Sequence, residues 1–201
     1  MTRVLIIGGN GFVGNYFKEL FAKYEDIEIA IGTRSPKRDN DVLITWNNPK
    51  KFYKNILSFD FIINASKWPK DKTLIKNIFQ LILNEGGIWL ETTADYDNIE
   101  YLFDLQASSE LASAAKGSVL HGVGVFPGLS NLLINFFYLD HQDSKKINLG
   151  IRYNLFSGAG KAMCEMMSNS LTNPSLYISH GIIVQDKPVG KKIIMNWKGV
   201  R

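Results

Sequence analysis

The chain has 201 residues, a formal net charge of +4, 45% hydrophobic and 21% charged residues. These proportions suit one globular domain, or one domain with a modest second lobe, and exclude a disordered chain. Basic residues are scattered apart from Lys37, Arg38, Lys50, Lys51 and Lys54 in one region and the pair Lys191 and Lys192, so there is no nucleic-acid footprint, and the most apolar long stretch, 122–139, is broken by Pro127, Ser130, Asn131 and Asn135 and makes a poor membrane span.

Arg3 to Ile7 predicts a short apolar strand that runs directly into Gly8-Gly9-Asn10-Gly11-Phe12-Val13-Gly14. Gly9, Gly11 and Gly14 fit G-x-G-x-x-G; Gly8, Gly11 and Gly14 fit G-x-x-G-x-x-G equally well. A helix follows, with Phe12, Val13, Tyr16, Phe17, Leu20, Phe21 and Tyr24 predicting one apolar face. Strand, glycine turn and helix in that order allow a diphosphate to approach main-chain N–H groups at a helix N-terminus. Gly8, Gly9, Asn10, Gly11, Phe12, Val13 and Gly14 are therefore candidate dinucleotide-binding residues.

Ile27–Thr33 predicts a second strand, Val42–Trp46 a third, and Phe59–Ala65 a fourth, bounded by Lys67-Trp68-Pro69. Asp71–Asn84 carries a helical stripe closed by Gly86-Gly87. Ile88–Thr93 predicts a fifth strand, Tyr101–Ala115 a helix, and Ser118–Val125 a sixth strand. Strands that alternate with helices and are themselves nearly continuous in apolar residues argue for an α/β fold, a parallel sheet covered on both faces. Ligands in such folds sit at the carboxyl ends of the strands. Here those ends are Gly8–Gly14, Thr33–Ser35, Asn64–Lys67, Thr92–Asp95 and Gly122–Gly128.

The pattern changes near residue 140, giving a predicted nucleotide domain over 1–140 and a partial α+β lobe over 141–201. In the lobe, Lys146–Asn154 reads as a strand and Gly158–Leu171 as a helix with a glycine-rich start. Gly181–Val184 and Lys192–Trp197 read as two arms of a hairpin with Asp186-Lys187-Pro188 near its turn. The chain stops just after the last of these strands, so it reads as shortened, or as pairing its edge with another chain.

An acidic side chain about 20 residues beyond the glycines would accept from a ribose 2′-OH. That count lands on Arg34 within Thr33-Arg34-Ser35, and no carboxylate is there. A guanidinium pairs instead with a 2′-phosphate, with Ser35 as a further donor, which points to NADP(H) over NAD(H). The alternative is an Arg34 that stacks on adenine or faces solvent.

Hydride transfer is the chemistry of such cofactors. None of the 8 tyrosines has a lysine four residues later, so the tyrosine–lysine mechanism of short-chain reductases is not available. Gly122–Leu133 joins a strand to a helix whose first N–H groups could face the nicotinamide carboxamide or an anion; a plain connection explains it equally. An acid near the reacting carbon is needed for imine or carbonyl reduction, and Asp95 lies beyond the fifth strand with Lys67 as a charge partner. His121 reads as a packed core histidine, His180 as structural or exposed, and Lys161 as a binder of a substrate carboxylate. Phe126 and Trp68 are the aromatics that adjoin strand-end turns.

Gly8–Gly14, Gly32-Thr33-Arg34-Ser35, Ile63-Asn64-Ala65 and Gly124-Val125-Phe126-Pro127-Gly128-Leu129-Ser130-Asn131 together resemble the saccharopine dehydrogenase/reductase-like proteins, as does Ser157-Gly158-Ala159-Gly160 before a helix. The resemblance spans nearly the whole chain. It implies a Rossmann-like doubly wound domain that binds NAD(P), and a partial lobe that covers the nicotinamide and mediates homodimer contact. Members make or cleave a C–N bond between an amino acid and a carbonyl partner, or reduce other substrates, and are usually much longer. The resemblance adds Asn64, Ala65, Ser66, Gly124, Phe126, Pro127 and Gly128 to Thr33, Arg34 and Ser35 as cofactor contacts. A non-catalytic NADP-binding sensor or assembly protein is the competing expectation. A single cysteine, Cys164, and no signal-like N-terminus predict a reduced, cytoplasmic protein with a small-molecule substrate and no metal.

Overall fold

A computed structural model describes residues 1–92, 101, 115–147, 149–150, 160, 164–165, 168, 171–180 and 182–187. The chain divides into two compact units, Met1–Ser144 and Lys145–Arg201.

The first unit is built on a six-stranded sheet of β1 (Thr2–Ile7), β2 (Ile27–Thr33), β3 (Asp41–Leu43), β4 (Phe61–Asn64), β5 (Ile88–Glu91) and β6 (Ser118–Leu120). Their order is β3-β2-β1-β4-β5-β6 and every pairing is parallel. This is the doubly wound, Rossmann-like α/β arrangement that the strand–helix alternation predicts. Its order reverses direction between β1 and β4, which opens a crevice at their carboxyl ends. Residues pair as Ile7↔Gly32 and Ile7↔Asn64, so β1, β2 and β4 end at one level.

Four helices flank or follow the sheet in the described residues: α1 (Phe12–Phe21), α2 (Pro49–Ile56), α3 (Lys72–Glu85) and α4 (Ser130–Asp140). Phe17 and Phe21 of α1 pack on Val4, Ile6, Ile31 and Ile63 on one face. The aromatic periodicity of α1 is thus split in space, because Phe12, Tyr16 and Leu20 remain exposed. On the opposite face Phe52 and Ile56 of α2 and Ile75, Ile78, Phe79, Ile82 and Leu83 of α3 meet Leu5, Ile7, Ile62, Trp89 and Val119. Asp71 caps α3 by accepting from the Thr73 and Leu74 N–H groups, at 2.9 and 3.2 Å.

Several boundaries differ from expectation. Strand β3 covers Asp41–Leu43 instead of 42–46. Strand β4 begins at Phe61, because the Phe59 N–H is held by the Ile56 carbonyl. Helix α2 has no counterpart among the expected elements; it is short, with Phe52, Tyr53 and Ile56 as its apolar residues, but Asn48 caps it by accepting from the Lys51 N–H at 3.0 Å and Pro49 opens it. Strand β6 ends at Leu120 because Gly122 turns the chain at φ +69°, and a π-helical turn over Val125–Leu129 leads into α4. Of the helix expected over 101–115, Tyr101 is helical, Ala115 is not, and the residues between lie outside the described residues.

In the second unit, β7 (Ser175–Ser179) and β8 (Ile182–Asp186) form an antiparallel hairpin with Ser179 opposite Ile182. The expected hairpin pairs the 181–184 arm forward with 192–197; the observed partner lies before it. Two residues separate the paired ends, and His180 adopts φ +52°, the left-handed conformation a two-residue hairpin turn requires. Described residues 146, 147, 149 and 150 are not in a strand, contrary to expectation, while Cys164, Glu165, Ser168, Leu171 and Thr172 are helical. Lys161 and 192–197 lie outside the described residues.

Candidate functional site

Residue Gly8 follows β1 at φ +78°, a conformation L side chains rarely adopt. Its N–H donates to the Gly32 carbonyl at 3.0 Å, and its carbonyl accepts from the Gly11 N–H at 2.8 Å. Gly9 donates to the Ile6 carbonyl at 3.2 Å, so the turn closes on its own strand. Gly11 then serves as the N-cap of α1 without a capping side chain, and the first turn has no acidic residue. The Gly11 carbonyl takes the Asn15 N–H at 3.0 Å, which leaves the N–H groups of Phe12, Val13 and Gly14 without an intrahelical acceptor. These are the groups a diphosphate requires, at the positive end of the helix dipole. Asn10 is exposed at the tip.

Across the β1–β4 crevice stands the turn Asn64-Ala65-Ser66. A Cβ at Gly8 would come within 2.9 Å of the Ala65 carbonyl oxygen and 3.0 Å of the Ser66 Cβ. The glycine turn and the β4 turn are therefore in contact, and the first glycine is what lets them approach. Asn64 is fully buried; its Oδ1 accepts from the Ser66 N–H at 3.1 Å and the Ser66 hydroxyl at 2.9 Å. Lys67, next along, is exposed.

On the other side of β1, Thr33, Arg34 and Ser35 end β2. Thr33 Oγ1 accepts from the Ser35 N–H at 3.2 Å, and Arg34 and Ser35 are exposed. Beyond them, Asp41 accepts from the Lys37 and Arg38 N–H groups through one oxygen, at 2.8 and 3.1 Å. The Lys37 bond holds the Asp41 carboxyl below its ordinary value, against a desolvation effect and with help from the Arg38 backbone and charge. This turn carries three cationic side chains, Arg34, Lys37 and Arg38, beside the glycine turn.

At the end of β6, the Val123 N–H donates to the Glu91 carbonyl at 3.0 Å. Gly128 adopts φ +123° and its N–H donates to Asn131 Oδ1 at 3.3 Å; the same oxygen takes the Ser130 hydroxyl at 3.1 Å. Asn131 so uses its side chain to order the turn, and Ser130 is buried at the start of α4. Gly124 and Pro127 are exposed on the turn. For Phe126, only the backbone of this π-helical turn is described.

Sheet order thus brings together at the carboxyl end of the first unit's sheet the glycine turn, the Arg34 turn, the Asn64–Ser66 turn and the Gly122–Gly128 turn. Asp95 lies outside the described residues. Trp68, singled out because it adjoins the turn after β4, is buried, with its ring 5.2 Å from Trp89 and 5.4 Å from Trp46. His121 is half-buried with its ring 6.1 Å from Phe79, and burial lowers its pKa. His180 is exposed.

One residue beside the site is not singled out by the sequence. Glu91 is fully buried at the end of β5, where its carboxylate accepts from Asn64 Nδ2 at 2.9 and 3.2 Å, Trp68 Nε1 at 2.6 Å and Trp89 Nε1 at 3.0 Å. The available signal is an acid two residues from Trp89 in an apolar strand, which puts both on one face. Among the described residues no group of His, Cys, Asp or Glu is arranged to hold a metal ion, and no helix is long and apolar enough to cross a membrane.

The class defined by this architecture is the Rossmann-like doubly wound fold. No family model and no curated protein matches the chain. Among solved structures, it is similar to apo saccharopine dehydrogenase (L-Glu forming) from Saccharomyces cerevisiae, at 15% identity and a TM-score of 0.63, covering 98% of this chain and 47% of that one. The chain therefore spans about half the length of that structure. Lower similarity is found to lin1944 from Listeria innocua (20% identity, TM-score 0.37, 59% of this chain and 75% of that one) and to the oxidoreductase ylbE from Lactococcus lactis (19%, 0.39, 59% and 67%).

Proposed function

We propose that the chain is an NADP-dependent oxidoreductase that reduces or oxidises a C–N or carbonyl bond of a small, amino-acid-like metabolite. The observation that carries this is the direct contact between the Gly8 turn and the Asn64–Ser66 turn at the β1–β4 reversal, with Arg34 one strand away. The residues present fit a dinucleotide: a glycine cradle, three N–H groups without helical acceptors at Phe12, Val13 and Gly14, and a cationic turn where the adenosine ribose would lie.

In this reading the α1 N–H groups hold the diphosphate. Arg34 pairs with the 2′-phosphate and Ser35 adds a donor. Ala65 and Ser66 border the crevice, and the Gly124–Gly128 turn faces the nicotinamide carboxamide. Bound nicotinamide supplies or accepts the hydride. Asp95 moves the proton, with Lys67 as its charge partner. The motif resemblance to the saccharopine dehydrogenase/reductase-like proteins, carried by Gly124–Asn131 above all, is what favours a substrate joined through, or forming, a secondary amine. A homodimer and a reducing, cytoplasmic setting belong to the same reading.

The test is a titration with NADPH and NADH followed by NADPH oxidation in mixtures of amino acids and keto acids. Binding with substrate-dependent oxidation is the expected result. No uptake of either dinucleotide at millimolar supply overturns the reading. Binding without oxidation across the mixtures selects instead a non-catalytic NADP-binding sensor or assembly protein.

A further inference from the structure

We propose that Glu91 is a positioning residue that sets the geometry of the dinucleotide cradle by fixing the side-chain amide of Asn64. The inference rests on the dinucleotide reading above and adds a residue to it that makes no contact with the crevice itself.

The relay can be followed atom by atom. Asn64 presents its Nδ2 to both oxygens of Glu91, at 3.2 and 2.9 Å. An amide has one donor end and one acceptor end. Holding the donor end inward leaves Oδ1 as the acceptor for the Ser66 N–H and hydroxyl. The Asn64 carbonyl is held separately, by the Thr92 N–H at 3.2 Å and the Thr92 hydroxyl at 2.7 Å, and Ala65 donates to the Ile7 carbonyl at 2.9 Å. The turn so pinned is the one that touches Gly8. The indole N–H groups of Trp68 and Trp89 both donate to Oε2 and hold the carboxylate in orientation. Glu91 and Asn64 are both fully buried, so water does not replace a lost partner at low cost.

Glutamine at this position has nearly the same shape but the wrong polarity. With its oxygen serving the two indoles, its NH2 faces the Asn64 NH2. The shorter Asn64 bond goes to the oxygen that also serves the indoles and is kept, but the NH2 that replaces Oε1 stands 3.2 Å from the Asn64 NH2 and repels it, which tilts the amide and disturbs its Oδ1 bonds to Ser66. An aspartate at position 64 removes the conflict, since one of its oxygens accepts from the introduced glutamine amide while the other accepts from Ser66. The double variant also keeps the pair's total charge.

The experiment compares wild type, E91Q and E91Q/N64D by NADPH titration and by the amide resonances of Gly8 and Ser66 in the cofactor-free protein. E91Q is expected to raise the NADPH Kd about tenfold and displace both resonances. E91Q/N64D is expected to recover both. A role in stability alone lowers the melting temperature without moving Kd measured well below it. The proposal is overturned if folded E91Q keeps the wild-type Kd or unshifted Gly8 and Ser66 amides. It is also overturned if the double variant recovers neither, whether or not E91Q folds. Wild type that takes up no dinucleotide overturns the functional reading, while the amide displacements still report separately whether Glu91 sets the turn.

Discussion

Gly14 and Gly8 meet backbone to backbone, so closely that any side chain at Gly14 would overlap the Gly8 carbonyl oxygen and the Gly9 Cα. The last glycine of the fingerprint thus fixes how near α1 can stand to the end of β1. Gly14→Ala is expected to lower stability by about 1–3 kcal/mol, the usual cost of overpacking. Because the helix end that offers its N–H groups is pushed outward, the variant should also lose dinucleotide affinity. Chemical denaturation and cofactor titration measure the two effects.

Arg34 is exposed at the end of β2 and makes no ion pair among the described residues, so its guanidinium is available to a ligand. Arg34→Glu is expected to raise the NADPH Kd by roughly 30-fold, about 2 kcal/mol, while sparing NADH. An unchanged ratio of the two affinities would assign Arg34 to adenine stacking or to solvent.

Asp41 ties together the backbone that carries Lys37 and Arg38. Asp41→Ala is expected to weaken NADPH binding more than NADH binding, by freeing the cationic turn. Because its folded pKa lies below the ordinary 3.8, its contribution is present above that pH and is lost as pH falls through the folded value. NADPH affinity in the wild type should therefore not vary through titration of Asp41 between pH 5 and 8, a range over which dinucleotide titration is practicable (~5–8, within the usual stability maximum).

His121 lies half-buried with its ring beside Phe79. Burial depresses its pKa from 6.5, so the unfolded chain binds the proton more readily. The sign follows directly: stability falls as pH drops below about 6.5, where the unfolded state gains a proton that the folded state resists. The melting temperature of wild type should decline from pH 7.5 to 5.5 (a span of about two units around the reference pKa), and His121→Phe, which keeps a ring beside Phe79, should flatten that decline.

Elements with strong local signals are legible in the sequence. Strand β2 is expected at Ile27–Thr33 and observed there; α3 differs from its expected span by one residue at each end, since Asp71 and Gly86 mark its two caps. Helix α2 places Phe52, Tyr53 and Ile56 toward the core, but at 8 residues it is shorter than the window over which a helical period is read. In the second unit β8 pairs with the strand before it, a partner that a period-two pattern does not name and the turn at His180 does, while the expected arm at 192–197 lies outside the described residues.

By itself the sequence determined the parallel α/β class, the glycine turn and the arginine at the end of the second strand, because each is written in contiguous residues whose spacing has a local physical consequence. Only the tertiary structure decided that Glu91, Asn64, Trp68 and Trp89 share one buried hydrogen-bonded cluster, and that Trp68 points into the core and not toward the crevice. Those residues lie on separate strands and a turn up to 27 positions apart. Their meeting depends on the register Asn64↔Glu91 between β4 and β5, and no local pattern encodes a register between strands that a helix separates.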